Sequence, residues 1–150
     1  MRMHEVAIAC GVTALVVLEA SSLWAQTFVG TWVRKDTPMT LTVEMCCGGG
    51  RRLTYHVPVN GTDTMMIIET ALDGKDAPVL VGGQPSGETM AIRQTDDHHA
   101  SAVLKMNGQP FGTAKGVLSA DGKTITIEDD FTAAVGGNKA GKQTEIWTRK

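Results

Sequence analysis

Aromatic side chains make up only 5% of this 150-residue chain, and helical spacing of apolar residues is absent from most of it. Beyond the first 25 residues, no stretch of a dozen carries the i, i+3, i+4 pattern of an amphipathic helix, which argues against a helical bundle. An excess of one charge is also lacking. Fourteen Lys and Arg stand against sixteen Asp and Glu, a formal net charge of −2, so there is no electrostatic footprint for nucleic acid or an anionic membrane. Cysteine occurs three times, as Cys10 and the adjacent pair Cys46 and Cys47. That is too few for a sulfur-ligated metal, which wants three or four ligands. Catalytic signatures are missing too. There is no Gly-x-Ser-x-Gly and no convincing Ser–His–Asp set. The Gly-rich "VGGNKAGK" lacks the spacing and the following helix of a phosphate loop.

The one long apolar run lies at the start. "MRMHEVAIACGVTALVVLEASSLWA" has a positive residue (Arg2), an uncharged apolar stretch from Val6 to Leu18, and small residues before Ala25. That is the layout of a secretory signal peptide, and the stretch is too short to span a bilayer comfortably. We expect residues 1–25 to be a leader cleaved after Ala25. A lipid anchor on Cys10 is disfavoured, because only a few apolar residues precede it. The mature chain, residues 26–150, then forms one domain with a net charge of about −1. No other apolar stretch reads as a membrane span, and the expected location is periplasmic or extracellular.

What is present is alternation. "TLTVEM" puts Leu41, Val43 and Met45 on one face; "RLTYHVPV" does the same for Leu53, Tyr55, Val57 and Val59. Met90 with Ile92, and Ile125 with Ile127, continue the pattern. Period two marks strands with one buried face. Turn signals recur between them: "PVNGTD", "ALDGKDAP", "QPSGE", "MNGQP" and "SADGKT". Thr70 to Lys75 is the one place where a short helical turn is conceivable. We therefore expect an all-β domain of about eight to ten short antiparallel strands. Such a sheet closes best into an up-and-down barrel, which removes its edges. A two-sheet sandwich is the alternative.

The chain ends carry a resemblance. The opening Gly30-Thr31-Trp32 and the ending Trp147-Thr148-Arg149 resemble the calycin pattern of lipocalins and fatty-acid-binding proteins. The resemblance implies that Trp32, set on the first strand by Gly30, plugs the closed end of a barrel, with Arg149 packed over it. "ALDGKDAPV", "GETMAIRQ" and "GTAKGVLSADGKTITIE" add a likeness to small secreted bacterial lipocalin-like proteins. That likeness implies fold and export; it brings no assigned enzymatic activity with it.

Several polar clusters compete for attention. "MCCGGGRR" falls between two strands and reads as a hairpin turn, its glycines supplying positive φ. Neighbouring Cα atoms lie about 3.8 Å apart, below the usual disulfide range of roughly 4.4–6.8 Å, so a bridge between Cys46 and Cys47 would be strained. Arg51 and Arg52 favour thiolate character, so a redox pair or soft-metal site is the sharp reading; incidental thiols in a decorated loop is the bland one. "TDDHHAS" reads as a solvated turn, because His98 and His99, as neighbours on a strand, would point apart. His56 is expected at the surface, on the face opposite Tyr55. Glu128, Asp129 and Asp130 in "IEDDF" read as a charged strand exit. Methionines (Met39, Met45, Met65, Met66, Met90, Met106) suit irregular apolar space better than copper.

The leading expectation is an exported, non-enzymatic protein that holds a small apolar or amphipathic molecule inside the barrel. It would need no cofactor or metal and would be a monomer or weak dimer. Leu41, Val43, Tyr55, Val57, Met90, Ile92, Val103 and Phe111 are the expected lining. The competing expectations are a ligandless structural or interaction module of the cell envelope, and a thiol or soft-metal protein built on Cys46 and Cys47.

Overall fold

The computed structural model describes residues 27–150. The expected leader, its cleavage point and Cys10 lie outside the described residues. Ten strands follow in order: β1 Gly30–Arg34, β2 Thr40–Cys46, β3 Gly50–Val59, β4 Thr62–Thr70, β5 Asp73–Val81, β6 Gln84–Asp96, β7 His99–Met106, β8 Gln109–Leu118, β9 Thr124–Phe131 and β10 Gly141–Arg149. Each pairs antiparallel with the next, and β1 also pairs with β10, so the sheet closes. The fold is an all-β, up-and-down antiparallel barrel, consistent with a calycin-like architecture. There is no helix among the described residues; Thr70 to Lys75 is a strand junction, in which the Thr70 hydroxyl accepts a bond from the Leu72 amide.

The turns explain the meander. Asn60-Gly61, Gly82-Gly83 and Asn107-Gly108 all have positive φ at both residues. That is the two-residue hairpin geometry whose twist matches the flanking strands. These turns share one end of the barrel with the β9–β10 connection, residues 132–140. Two of the expected turns are not turns. Asp73-Gly74 lies within β5, at a register shift between Asp73 and Asp76, and Ser86-Gly87 lies within β6. A bulge and a hairpin ask for the same residues, so the local signal does not separate them. Pro78, Pro85 and Pro110 also sit beside register shifts, where a missing N–H does least harm.

The opposite end is closed from within. Trp32 is fully buried with Leu41, Val43, Leu118, Ile125 and Trp147. Arg149 lies 4.1 Å from the centre of the Trp32 ring system. Its Nε donates to the Gly122 carbonyl at 2.8 Å, and its two Nη atoms donate to the Val29 and Thr27 carbonyls, each at 2.7 Å. The planar fork satisfies three carbonyls while its face covers the indole. Gly30 is required here: a Cβ would collide with Arg149 Nη1, and φ is +141°. Two further apolar clusters, one around Ile68, Val79 and Ile92, the other around Leu104, Phe111 and Phe131, build the remaining wall.

Candidate functional site

The barrel is hollow. A cavity of about 400 Å³ runs through its interior. A barrel of eight strands is just wide enough for its own side chains to fill or to hold one small ligand, and diameter grows with strand number, so ten strands leave more room. The inward rows are also economical. Ala100, Ala102, Ala114 and Gly116 line the β7–β8 wall, where larger residues would occupy the space.

Of the expected lining, Leu41, Val43, Tyr55, Val57, Met90 and Ile92 face the cavity. Val103 does not. It is 37% exposed on the outer surface, while Ala102 and Leu104 of the same strand face in. In "SAVLKM" Ala102, Leu104 and Met106 share one face and Val103 shares the other with Ser101 and Lys105, so alternation itself turns Val103 outward. Phe111 also misses the cavity. It is buried against Leu104 and Phe131, its ring stacked on that of Phe131 at 6.2 Å, beside the register shift in the β7–β8 pairing. Met45 and Val59 share parity with lining residues but run beyond the barrel ends and are exposed.

Charged groups that the apolar pattern did not single out also face the cavity. Arg34, Glu88, Asp129 and Glu145 all line it. Arg34 Nη1 bonds Glu145 Oε1 at 3.0 Å, and Glu145 Oε2 accepts from the Trp147 indole at 3.0 Å. Asp129 Oδ2 accepts from the Gln143 amide at 3.1 Å. The Glu88 carboxylate and the Tyr55 hydroxyl have no hydrogen-bond partner among the described residues. The Tyr55 ring stands edge-on to Trp147, with centroids 6.0 Å apart. Burial raises the carboxyl pKa of Glu88, Asp129 and Glu145 above the ordinary range. The Gln143 bond and Arg34 oppose the shift at Asp129; the Trp147 bond and Arg34 oppose it at Glu145. Burial raises Tyr55 as well, with Glu145, Asp129 and Glu88 adding to the effect.

A signal for these residues was present. Asp129 continues the row Ile125, Ile127; Glu88 precedes Met90, Ile92; Glu145 precedes Trp147; Arg34 follows Trp32. Each is two positions from an apolar residue of the same face. The reading of Asp129 as part of a charged strand exit holds for its neighbours Glu128 and Asp130, which are exposed, but Asp129 itself is buried.

The cysteines and histidines of the other clusters lie outside the cavity, although Arg51 of "MCCGGGRR" and Asp97 of "TDDHHAS" line it. Cys46 and Cys47 are joined as a disulfide, not left as incidental thiols. The strand stops at Cys46, and Cys47 turns with φ of 54°, so the two sulfurs do not diverge to opposite faces. Both sulfurs and a Glu69 carboxylate oxygen lie within 4.8 Å of one another. Bonded to each other, the sulfurs offer no thiolate to an ion. "TDDHHAS" is a solvated turn, with Asp96 accepting bonds from the His98 amide and the His99 ring. His56 sits on the outer face, paired with Asp63 at 2.7 Å.

No protein-family model matches the chain, and no curated protein is detectably similar to it in sequence.

Proposed function

We propose that this chain is an exported, non-enzymatic, lipocalin-like binding protein that carries a small amphipathic molecule in its barrel. The observation that supports this most is the interior cavity of about 400 Å³, within the range of small-molecule sites. Its wall is mostly aliphatic, interrupted by a few convergent polar groups, the composition such sites share. A ligandless module would gain stability by filling that space, so the cavity favours the carrier reading over the structural one. The engaged carboxylates Glu145 and Asp129, and the placing of His56, His98 and His99 away from the cavity, favour binding over acid–base chemistry. Export rests on the leader-like residues 1–25, and a monomer or weak dimer on the closed sheet, which leaves no strand edge for another chain.

Native mass spectrometry of the protein secreted by its own host tests both parts. The expected result is a mass beginning at Gln26 with a bound small molecule. Ala114→Trp, which places an indole in the cavity, should abolish the bound mass while the protein remains folded. A retained leader, or a lipid on Cys10, would remove the export part. Bound mass unchanged in Ala114→Trp would place the ligand elsewhere.

A further inference from the structure

Inward charge is unevenly distributed in this barrel. On β1, β6, β9 and β10 the inward row passes from apolar side chains to a charged one: Trp32 to Arg34, Ile92 and Met90 to Glu88, Ile125 and Ile127 to Asp129, Trp147 to Glu145. In each row the charged member lies nearer the end that carries the Asn60-Gly61 and Asn107-Gly108 turns. At that end the β9–β10 connection also lines the cavity, through Gly136 and Asn138. The cavity thus has an apolar body and a charged collar.

The collar does not balance. Arg34 is its one cation, and it is committed to Glu145. Asp129 is only 8% exposed, and its one hydrogen bond comes from the neutral amide of Gln143, which leaves Oδ1 without a hydrogen-bond partner among the described residues; Arg34 acts on it only through space. Among the described residues, neither the Glu88 carboxylate nor the Tyr55 hydroxyl has a hydrogen-bond partner. The two remaining charged groups on the cavity wall, Arg51 and Asp97, stand at the closed end, where Arg51 donates to the Gly49 and Gly50 carbonyls. Two carboxylates therefore face one cavity with no cation bonded to either. Burying unpaired charge is costly, and a ligand that supplies the missing charge recovers that cost.

We infer that the ligand is a cationic amphiphile: an apolar body with one protonated nitrogen, its head held between Glu88 and Asp129 and its body against the Leu, Ile and Val wall. The inference rests on the carrier reading above. An ammonium has several donors, which suits carboxylate oxygens that stand apart. A metal ion needs its ligands close together, and among the described residues three such atoms converge only at Cys46, Cys47 and Glu69. An alkyl carboxylate would set a further negative charge against Glu88 and Asp129 in a poorly screened space.

The test is titration calorimetry of the mature protein at low salt and neutral pH with decylamine, decanol and decanoate, three probes of one chain length. Decylamine should bind tightest, by about tenfold or more over decanoate. Glu88→Gln with Asp129→Asn should bring those two affinities together, while decanol binding, which reports an intact cavity, stays as in the wild type. Lowering the pH into the carboxylate range should shrink the wild-type preference for decylamine over decanol. If none of the three binds, the carrier reading fails. If decanoate binds as tightly as decylamine, the carrier reading stands and the cationic head is wrong. A preference that survives both the double variant and the pH change also overturns the assignment to Glu88 and Asp129.

Discussion

Arg149 joins three separate segments of the chain. Its fork reaches the carbonyls of Thr27 and Val29 ahead of β1 and of Gly122 in the β8–β9 turn, and its face covers Trp32. Trp32→Ala should cost about 3–5 kcal/mol as a buried aromatic deletion. Arg149→Ala should cost less, and the pair should couple by roughly 0.5–3 kcal/mol, because contacting residues are not additive. Urea unfolding of both single variants and the double measures this; additive losses would detach Arg149 from the closure. Arg149→Lys should not restore the loss, since one ammonium cannot satisfy three carbonyls and stack on an indole. Gly30, Trp32 and Arg149 were legible because the resemblance at the chain ends names them, and the geometry agrees residue by residue. Glu88 was not singled out and Asp129 reads with Glu128 and Asp130 as a charged strand exit, because a charged residue at the edge of an apolar run reads as solvated until the wall around it is known.

Among the elements, the β2–β3 turn is the most unusual. Its conformation rests on backbone and arginine contacts: the Gly49 amide bonds the Cys46 carbonyl at 3.2 Å, and Arg51 holds the Gly49 and Gly50 carbonyls. Gly50 passes so close to the Thr70 carbonyl that a Cβ would strike it. None of these contacts uses sulfur. A disulfide stabilises chiefly by closing a loop in the unfolded chain, and a bridge between neighbours closes almost none. Replacing Cys46 and Cys47 together by Ser should leave stability within about 1 kcal/mol. Denaturation of that variant and of the wild type, with and without a reductant, checks it; a loss of several kcal/mol in either arm would make the bridge structural. The hairpins were legible where Asn-Gly follows a clean alternation. They were misread at Asp73-Gly74 and Ser86-Gly87, because a glycine inside a bulged strand carries the same local signal as a glycine between strands.

At the scale of the whole molecule, the inward-facing carboxylates set the pH response. Glu88, Asp129 and Glu145 have pKa values raised by burial, so in the folded state they hold protons that the unfolded chain has already lost. Their contribution to stability is greatest below the ordinary carboxylate range and falls as the pH rises through the raised values. Asp73, Asp96 and Asp121 act the other way. Bonds from the Lys75 amide, the His98 amide and the Ser119 hydroxyl lower them, so their contribution is lost as the pH falls, but all three are solvent-exposed and weigh little. Urea midpoints measured from about pH 4 to about pH 8 should therefore decline toward the upper end. Glu88→Gln and Asp129→Asn should each flatten that decline. A wild-type profile that rises steadily with pH would show that these groups are not held in a desolvated wall.

Period-two alternation, glycine turns and the Gly-x-Trp and Trp-x-Arg ends determine an antiparallel meander with its closing residues, because each is a local property of a strand or a turn. Only the tertiary structure decided what the inward face meets. Met45, Val59, Leu53 and Asp129 all have inward parity, yet the first two are exposed at the barrel ends, Leu53 lines the cavity and Asp129 is buried at the collar. Those outcomes depend on strand number, tilt and bulges, which fix where each row begins and ends relative to the others. No residue encodes them alone. The hollow interior has the same origin: ten strands enclose more volume than the small side chains of β7 and β8 can fill.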